Sequence, residues 1–463
     1  MADPATLEKI RDVFTAVLGV PREIVTAEAT PERIPGWDSL AHLSLVSEIE
    51  NAFGATLTMD EVLAVKCVGD FAAILGGAIV APGPKSPGGP PAAGKAPGAP
   101  PASGADRMLP SDRDGIFRFA DRVRSEITLV HGPDHWEWQY LRNPNADPAR
   151  PPVYVFRRHG EIAGHLGTIP VRLEAGDRSL RAAWTSGLVA APEVRAHGVG
   201  VRLIERWLED VEVGLVLGTT PDAEALFTRL GWLRPGGGRV RSFMRLLDAD
   251  AIVRKRVAHP AARRAIASVA NVALSLILRA PSRLGGDIRV RTFDRFDARF
   301  DGFWERARTG YPIIVRRDRR YLQWKFGSQP GVAYVRILAE RGGKAEGSEG
   351  DGDLAGYAVL RVMTRKPWVG YIVDALAAVD DGEAWDHLVA ASIDVLQARG
   401  VQQVWCVVLN PAAEAALRRF AFVPRDSPMT FFVKPNRPDL DTAFFAEGAN
   451  WFVTKGDADQ DRP

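Results

Sequence analysis

The spacing of hydrophobic residues separates a short helical part of the chain from a longer part that contains strand-like runs. In the first 77 residues, apolar side chains recur every three to four positions, which predicts helices with one buried face. The first such stripe is Leu7, Ile10, Phe14 and Val17, and the second is Leu40, Leu43, Val46, Ile49 and Phe53. Two short apolar segments end near Leu75, so residues 1–78 are expected to form one all-α unit of four helices.

The longer part carries the same pattern twice. Trp138-Gln139-Tyr140 corresponds to Trp324-Lys325-Phe326, 186 residues later, and Pro221 corresponds to Pro411, 190 residues later. Each copy also has a strand-like run followed by an Ala-Gly turn. Copy one is therefore placed at residues 108–248 and copy two at residues 287–435, with a polar surface loop inserted at 342–353.

Three further segments complete the predicted organisation. Residues 79–107 are a linker, because positions 81–106 contain 8 Pro, 6 Gly and 7 Ala and cannot build an apolar face. Residues 249–286 connect the copies, and their uncharged run from Ala265 to Leu278 is shorter than the roughly 20 residues of a membrane span. We expect a buried helix there, with an interfacial membrane helix as the alternative. Residues 436–463 are predicted to be a C-terminal tail.

The charges are divided unevenly along the chain. Residues 1–77 hold 12 acidic and 5 basic side chains, a net charge of −7, so the remainder carries +9 of the total of +2. This division predicts electrostatic docking of the first unit on the rest. The arginines are scattered and no binding motif is present, which argues against nucleic acid. Two cysteines give no disulfide framework or metal cluster, and the N-terminus has no apolar signal region, so we expect a cytoplasmic protein.

The stretch Gly36-Trp37-Asp38-Ser39-Leu40 places a hydroxyl at the start of the second helix. Taken alone, such a residue is most often a helix N-cap. Together with the surrounding unit it resembles an acyl carrier protein of the fatty-acid, polyketide and peptide-synthetase type. The resemblance implies that Ser39 receives covalent 4′-phosphopantetheine from a separate phosphopantetheinyl transferase. It also implies acidic docking residues, for which Asp38, Glu48, Glu50, Asp60 and Glu61 are the candidates.

Copy one contains a glycine-rich turn between a strand and a helix. The turn follows Leu188 and Ala190, and it consists of Arg195, Ala196, His197, Gly198, Val199 and Gly200. Such a turn directs backbone N–H groups and the positive end of a helix dipole at one place, which suits a pyrophosphate. A lone G-x-G turn is weak evidence, since it usually marks only a tight connection.

With its surroundings the turn resembles the signature of the GNAT superfamily of N-acyltransferases, which Arg195, Gly198 and Gly200 satisfy. The likeness covers copy one and, more faintly, copy two. It implies two α/β domains with mixed sheets splayed at a β-bulge. It also implies that the backbone near Leu188 and Ala190 holds pantetheine and that the turn from Arg195 to Gly200 holds the phosphates of acyl-CoA or acetyl-CoA. In copy two the turn is replaced by Asp380, Asp381 and Glu383, which would repel phosphate, so no ordinary CoA binding is expected there.

The acid and base of the reaction are not evident from the sequence. Phe227 and Leu417 stand where many members of that superfamily have a tyrosine. His165, His197 and Asp374 are weak candidates for a base, and each has the simpler interpretation of a loop or core residue. Positioning of a reactive thioester could also suffice.

These features predict an acyltransferase that carries its own acyl carrier domain. It would move an acyl group between a carrier or CoA thioester and a small-molecule amine or hydroxyl in a biosynthetic pathway. Other synthase or ligase enzymes could load the carrier. Two alternatives stay open: a CoA-dependent N-acetyltransferase whose carrier serves other enzymes, and a non-catalytic docking module.

Overall fold

The computed structural model describes residues 4–31, 33–37, 39–55, 57, 61, 65–76, 104–123, 132–248, 253, 284–342 and 352–461. The linker positions 81–103 and the uncharged segment 265–278 lie outside these ranges. A helical N-terminal unit is followed by a large mixed α/β sheet, which confirms the predicted fold class.

The N-terminal unit is built on the predicted apolar stripes. Its elements are α1 (Pro4–Leu18), a 3-10 turn (Arg22–Ile24), α2 (Ser39–Phe53) and α3 (Val68–Leu75). The expected helix between α2 and α3 falls mostly on residues outside the description. Phe14 and Trp37 pack edge to face with ring centroids 4.7 Å apart, and Phe71 joins them in the core. Trp37 therefore anchors the loop that leads into α2.

Copy one supplies six strands and four helices in the described residues. In chain order they are β1 (Gly104–Arg107), α4 (Arg113–Arg122), α5 (Pro133–Tyr140), β2 (Val153–Arg158), β3 (Glu161–Ala175), β4 (Arg178–Ala190), α6 (Val199–Leu208), β5 (Val213–Leu217), α7 (Pro221–Arg229) and β6 (Arg241–Leu246). β1 pairs with β2. Residues 104–107 thus belong to the sheet, although they lie in the segment that was predicted as linker.

The remaining described residues add nine strands and five helices. They are β7 (Ile288–Thr292), α8 (Arg299–Ala307), β8 (Ile313–Val315), α9 (Arg319–Leu322), β9 (Val335–Arg341), β10 (Asp353–Met363), β11 (Lys366–Ala377), α10 (Gly382–Gln397), β12 (Gln403–Leu409), α11 (Pro411–Arg419), β13 (Val423–Arg425), β14 (Phe431–Pro435), α12 (Thr442–Ala446) and β15 (Trp451–Thr454). A π-helical turn (Gln323–Gly327) extends α9.

The repeated proline motif has a local explanation. Pro221 and Pro411 each occupy the first position of a helix, α7 and α11, where the missing N–H costs nothing. The residue before each proline caps the helix: the Thr220 hydroxyl accepts from the Ala223 N–H at 3.3 Å, and the Asn410 side chain accepts from the Ala412 N–H at 3.0 Å. The repeat in sequence is therefore a repeat of strand, cap and helix.

The strands form one continuous sheet instead of two separate ones. Its order is β14-β5-β4-β3-β8-β15-β12-β11-β10-β9-β7, with β1–β2 attached at β3 and β6–β13 at β12. The copies exchange their final strands, since β6 of copy one pairs with β12, and β14 of copy two pairs with β5. Boundaries at 248 and 435 consequently do not separate independent sheets.

The C-terminal segment is not a tail. β15 lies parallel to β8 and antiparallel to β12, and it joins the two halves of the sheet. Residues 451–459 are buried. Its sequence gave no hydrophobic run long enough to predict a central strand, because the run Trp451, Phe452 and Val453 is only three residues long.

Candidate functional site

The first feature of the site is a wedge between two parallel strands of copy one. β4 and β5 pair from Ala182–Trp184 to Val213–Leu215 and then part. Beyond this point β4 has a bulge. His165 and Gly167 of β3 are two positions apart, but their partners on β4, Val189 and Ser186, are three positions apart. Gly187, which lies in the bulge, has a φ of +71°, a conformation that glycine adopts without steric cost. Leu188 and Ala190 follow on the open part of β4.

The glycine-rich turn lies at the mouth of this wedge. A 3-10 helix (Pro192–His197) leads into α6, and Gly198 between them has a φ of +65°. The Arg195 Nε donates to the Ala190 carbonyl at 2.9 Å, which ties the turn to the end of β4. None of the described side chains caps α6, and no acidic residue lies in its first turn. Its first N–H groups and the helix dipole are therefore suited to an anion.

Gly200 has a different role from Gly198 in this turn. A Cβ at Gly200 would lie 3.6 Å from the Leu226 Cδ2, an ordinary contact, so the fold itself does not require a glycine. A small residue here leaves the helix N-terminus open to close approach by a ligand. The side chains of Ala196 and His197 lie outside the described part of the structure.

The matching helix terminus of copy two is occupied by the chain's own carboxylates. Asp381 caps α10 by accepting from the Ala384 N–H at 3.0 Å. Arg341 pairs with Asp381 at 2.9 Å and with Glu383 at 2.7 Å. A carboxylate thus accepts from a backbone N–H at the terminus where a phosphate would bind.

The wedge of copy two is also filled. β11 and β12 pair from Val369–Ile372 to Gln403–Cys406, and the C-terminal segment then enters between them. The Lys455 N–H donates to the Val407 carbonyl at 3.2 Å, and the Gly456 N–H donates to the Val373 carbonyl at 3.0 Å. These are strand hydrogen bonds on the two parting edges, so the chain itself occupies the place of a pantetheine arm.

His165 is attached to the bulge of copy one. It is 1% exposed, and burial lowers its pKa to about 4. Its Nδ1 lies 2.9 Å from the Gly187 carbonyl oxygen, which can only accept, so Nδ1 carries the proton. The neutral ring therefore has its lone pair on Nε2, and this buried atom has no hydrogen-bond partner among the described residues. An imidazole held in this tautomer can accept a proton.

The other acid–base candidates are placed differently. Asp374 is 2% exposed and accepts from the Tyr357 and Thr454 hydroxyls, both at 2.7 Å, beside Arg317. It belongs to a buried network in copy two. Phe227 packs edge to face on Trp232 with centroids 4.8 Å apart, so it faces the core of copy one and brings no hydroxyl to the wedge.

The N-terminal unit rests on the same turn. Residues of α2 lie within 8 Å, between Cα atoms, of both the 3-10 helix Pro192–His197 and α7. The Glu50 carboxylate lies 3.6 Å from the Arg229 guanidinium at the end of α7. Ser39 is the first residue of α2, although its side chain is outside the description. Upstream, the Trp37 indole N–H donates to the His42 Nδ1 at 3.0 Å and fixes the approach to this helix.

The sequence did not indicate that the side chains of Gln139, Ser186, Asp459 and Gln460 lie together at the wedge. Ser186 on β4 accepts from the Gln139 side chain at 2.9 Å and donates to Asp459 at 2.7 Å. Gln460 donates to the Leu217 carbonyl of β5 at 2.7 Å. Asp459 and Gln460 are distant in sequence from both strands, so no local pattern could place them there.

Comparison with known proteins assigns the first unit. Residues 8–75 match the family model described as a phosphopantetheine attachment site, which confirms that this part is a carrier domain. A search of curated proteins found no match to the chain.

Three solved structures align with most of the chain. They are Saccharomyces cerevisiae N-myristoyltransferase with bound myristoyl-CoA (11% identity, 74% of this chain and 84% of that one, TM-score 0.44), a probable N-acyltransferase from Enterococcus faecalis (10%, 71% and 70%, 0.48) and a GCN5-related N-acetyltransferase from Anabaena variabilis (12%, 72% and 72%, 0.47). All three TM-scores are below 0.5, so the role of copy one rests on its own geometry.

No described helix is long and apolar enough to cross a membrane. Within the same ranges, no group of three His, Cys, Asp or Glu side chains is arranged to hold a metal ion.

Proposed function

We propose that this chain is an acyltransferase that works in the wedge of copy one. Its donor is an acyl thioester on the phosphopantetheine arm of Ser39, and its acceptor is a small-molecule amine. The observation that carries the proposal is the position of α2. The helix that begins with Ser39 lies against the 3-10 helix of the turn that opens onto the wedge, and we expect an arm on Ser39 to reach the helix terminus that follows this turn.

The arm would enter between the parting edges of β4 and β5. The N-terminus of α6 would hold its phosphate, and the backbone of β4 around Leu188 and Ala190 would hold its amides. Acyl-CoA would use the same contacts with its pyrophosphate and pantetheine. Copy two is a scaffold in this account, because Asp381 caps its helix and the C-terminal segment fills its wedge.

The reaction forms a C–N bond and breaks a C–S bond. The amine nitrogen attacks the thioester carbon, and its proton passes to the Nε2 of His165. The thiolate then leaves, and the proton passes from the His165 imidazolium to the thiolate through solvent. The bulge places the Gly187 carbonyl and His165 together, which is why we assign the proton acceptor to His165 and not to Asp374.

A second candidate is a docking module that binds acyl thioesters without chemistry. The burial of Phe227 against Trp232 favours it, because the wedge lacks the tyrosine that many similar transferases use. The two functions differ in one outcome: the transferase forms an amide from the thioester and the amine, and the docking module does not.

The test uses the full chain charged with an acetyl-phosphopantetheine arm and freed of CoA. We expect mixing with a panel of small amines to give an acetylated amine and a discharged arm by mass spectrometry. Ser39→Ala should give neither. His165→Asn keeps a donor to the Gly187 carbonyl but removes the lone pair of Nε2, and it should slow the transfer by about a hundredfold.

A matched histidine supplies the control for that variant. His387 in copy two also has its Nδ1 at 2.9 Å from a backbone carbonyl, that of Glu383, and His387→Asn should leave the rate unchanged. A charged arm that no amine discharges would contradict catalysis and favour the docking module.

A further inference from the structure

The C-terminal segment does more than close copy two. After Gly456 it runs between the copies, held by side chains from the second half of the sheet. Lys325 donates to the Ala458 carbonyl at 2.6 Å, and Gln329 donates to the Asp461 carbonyl at 2.8 Å. Arg361 pairs with Asp461 at 3.0 Å. These buried contacts fix the position of residues 458–461.

The segment ends at the apex of the wedge in copy one. Asp459 accepts from Ser186 on β4, and Gln460 donates to the Leu217 carbonyl on β5, both at 2.7 Å. Ser186 and Leu217 each lie two residues beyond the last paired positions, Trp184 and Leu215. The segment therefore bridges the two strands just where they begin to part.

The apex is closely packed around the Gln460 side chain. A Cβ at Gly218 would lie 2.7 Å from the Gln460 Oε1. An arm that enters from the turn at Gly198 points its acyl end toward this apex. The groups it would meet there are an amide, a carboxylate and a hydroxyl, which are poor neighbours for a long apolar chain.

We propose that Gln460 sets the length of the acyl group and restricts the donor to short-chain acyl thioesters. The inference rests on the proposed function for its direction of entry. The side chain closes the end of the wedge by its volume, and its hydrogen bond to the Leu217 carbonyl holds it in place. Residues from the end of the chain thus determine specificity in copy one.

The experiment measures two quantities over a series of acyl chains of two to eight carbons. The first is the rate of transfer from the charged Ser39 arm. The second is the calorimetric affinity of S-alkyl-CoA thioethers, which bind but cannot transfer. The thioethers report the space in the wedge even if no amine is acylated, so a failure of the proposed function and a failure of this inference are distinguishable.

Three variants separate volume from anchoring. Gln460→Ala opens the apex, and it should raise the preference for long over short chains by about tenfold or more in both measurements. Gln460→Met keeps the volume, and it should keep the preference for short chains. Gln329→Ala loosens the same segment without removing the side chain at the apex, and it should change the chain-length ratio much less than Gln460→Ala does.

Three results would overturn the inference. One is a wild-type chain that binds the eight-carbon thioether as well as the two-carbon one. Another is a chain-length profile of Gln460→Ala that equals the wild-type profile. A profile that shifts equally in Gln460→Ala and Gln329→Ala would show that loosening of the segment, and not the side chain, sets the length.

Discussion

Trp138 and Trp324 stack on each other, and each donates its indole N–H to the backbone carbonyl of the other. The ring centroids are 5.0 Å apart with an interplanar angle of 17°, and the two hydrogen bonds measure 2.9 and 2.8 Å. Such a reciprocal contact is what a twofold relation between two copies produces when equivalent residues meet at the axis. The pair that revealed the repeat in sequence therefore also joins its two halves.

Replacement of either tryptophan should destabilise the body. Trp138→Phe or Trp324→Phe keeps an aromatic ring but leaves a buried carbonyl without its donor, at a cost of about 1–3 kcal/mol. Because the two residues interact directly, the double variant should lose less than the sum of the single losses. Thermal melting of the four proteins measures this coupling, and strict additivity would contradict the reciprocal contact.

The repeat and the carrier unit were accessible from sequence because both depend on local patterns. The exchange of β6 and β14 was not, since pairing partners of short strands are set by the opposite copy and leave no mark on nearby residues. The same holds for β15, whose short apolar run sits in a polar segment. Its burial depends on ion pairs such as Arg317 with Asp457 at 2.8 Å, which sequence spacing does not reveal.

A matched glycine pair tests which copy binds the donor. Gly200→Val places bulk at the open N-terminus of α6 and should weaken CoA binding by about tenfold or more, by displacing the phosphates from the N–H groups. Gly382→Val makes the same change in copy two, where a Cβ would lie 3.8 Å from Arg419, and should have no effect. Calorimetric titration with CoA compares them. Loss of binding in the Gly382 variant alone would reverse the assignment.

The contact between Glu50 and Arg229 tests the docking of the carrier. Arg229→Glu introduces repulsion at a half-buried pair and should slow discharge of the charged arm severalfold, since such pairs contribute about 0–1 kcal/mol. The Glu50→Arg, Arg229→Glu double variant should recover part of the rate relative to Glu50→Arg alone. Glu48→Arg alters an exposed residue of the same helix and serves as the control. If Glu48→Arg slowed discharge as much as Glu50→Arg, net charge and not this contact would guide the carrier.

The buried His165 predicts a pH dependence of stability. Its folded pKa of about 4 lies below the ordinary value of 6.5, so between these values the unfolded chain takes up a proton and the folded chain does not. Stability should therefore be constant above about pH 6.5 and fall by up to about 3 kcal/mol as the pH drops to 4. Thermal melting at pH 7.5 and pH 4.5 compares wild type with His165→Asn. The variant should lose less stability than wild type between these two pH values. Identical losses would contradict a neutral, buried ring.

The site was only partly predictable for a related reason. The turn from Arg195 to Gly200 and the position of Ser39 are contiguous motifs, and the structure brings their elements together. The tautomer of His165 depends on the Gly187 carbonyl across a strand pair, and the closure of the wedge depends on Gln460, more than 240 residues from Leu217 in sequence. Sequence reasoning can name a histidine as a candidate but cannot supply either neighbour.

The source of the transferred acyl group tests the central claim most directly. The Ser39 arm is charged with ¹³C-acetyl, free CoA is removed, and the chain is mixed with an amine acceptor and an excess of unlabelled acetyl-CoA. Within the first turnover the account predicts a ¹³C-labelled amide and loss of the acetyl mass from the carrier, both slowed by Gly200→Val and unaffected by Gly382→Val. An unlabelled amide with the ¹³C-acetyl arm still in place would contradict the account and make the chain an acetyltransferase that draws on free CoA.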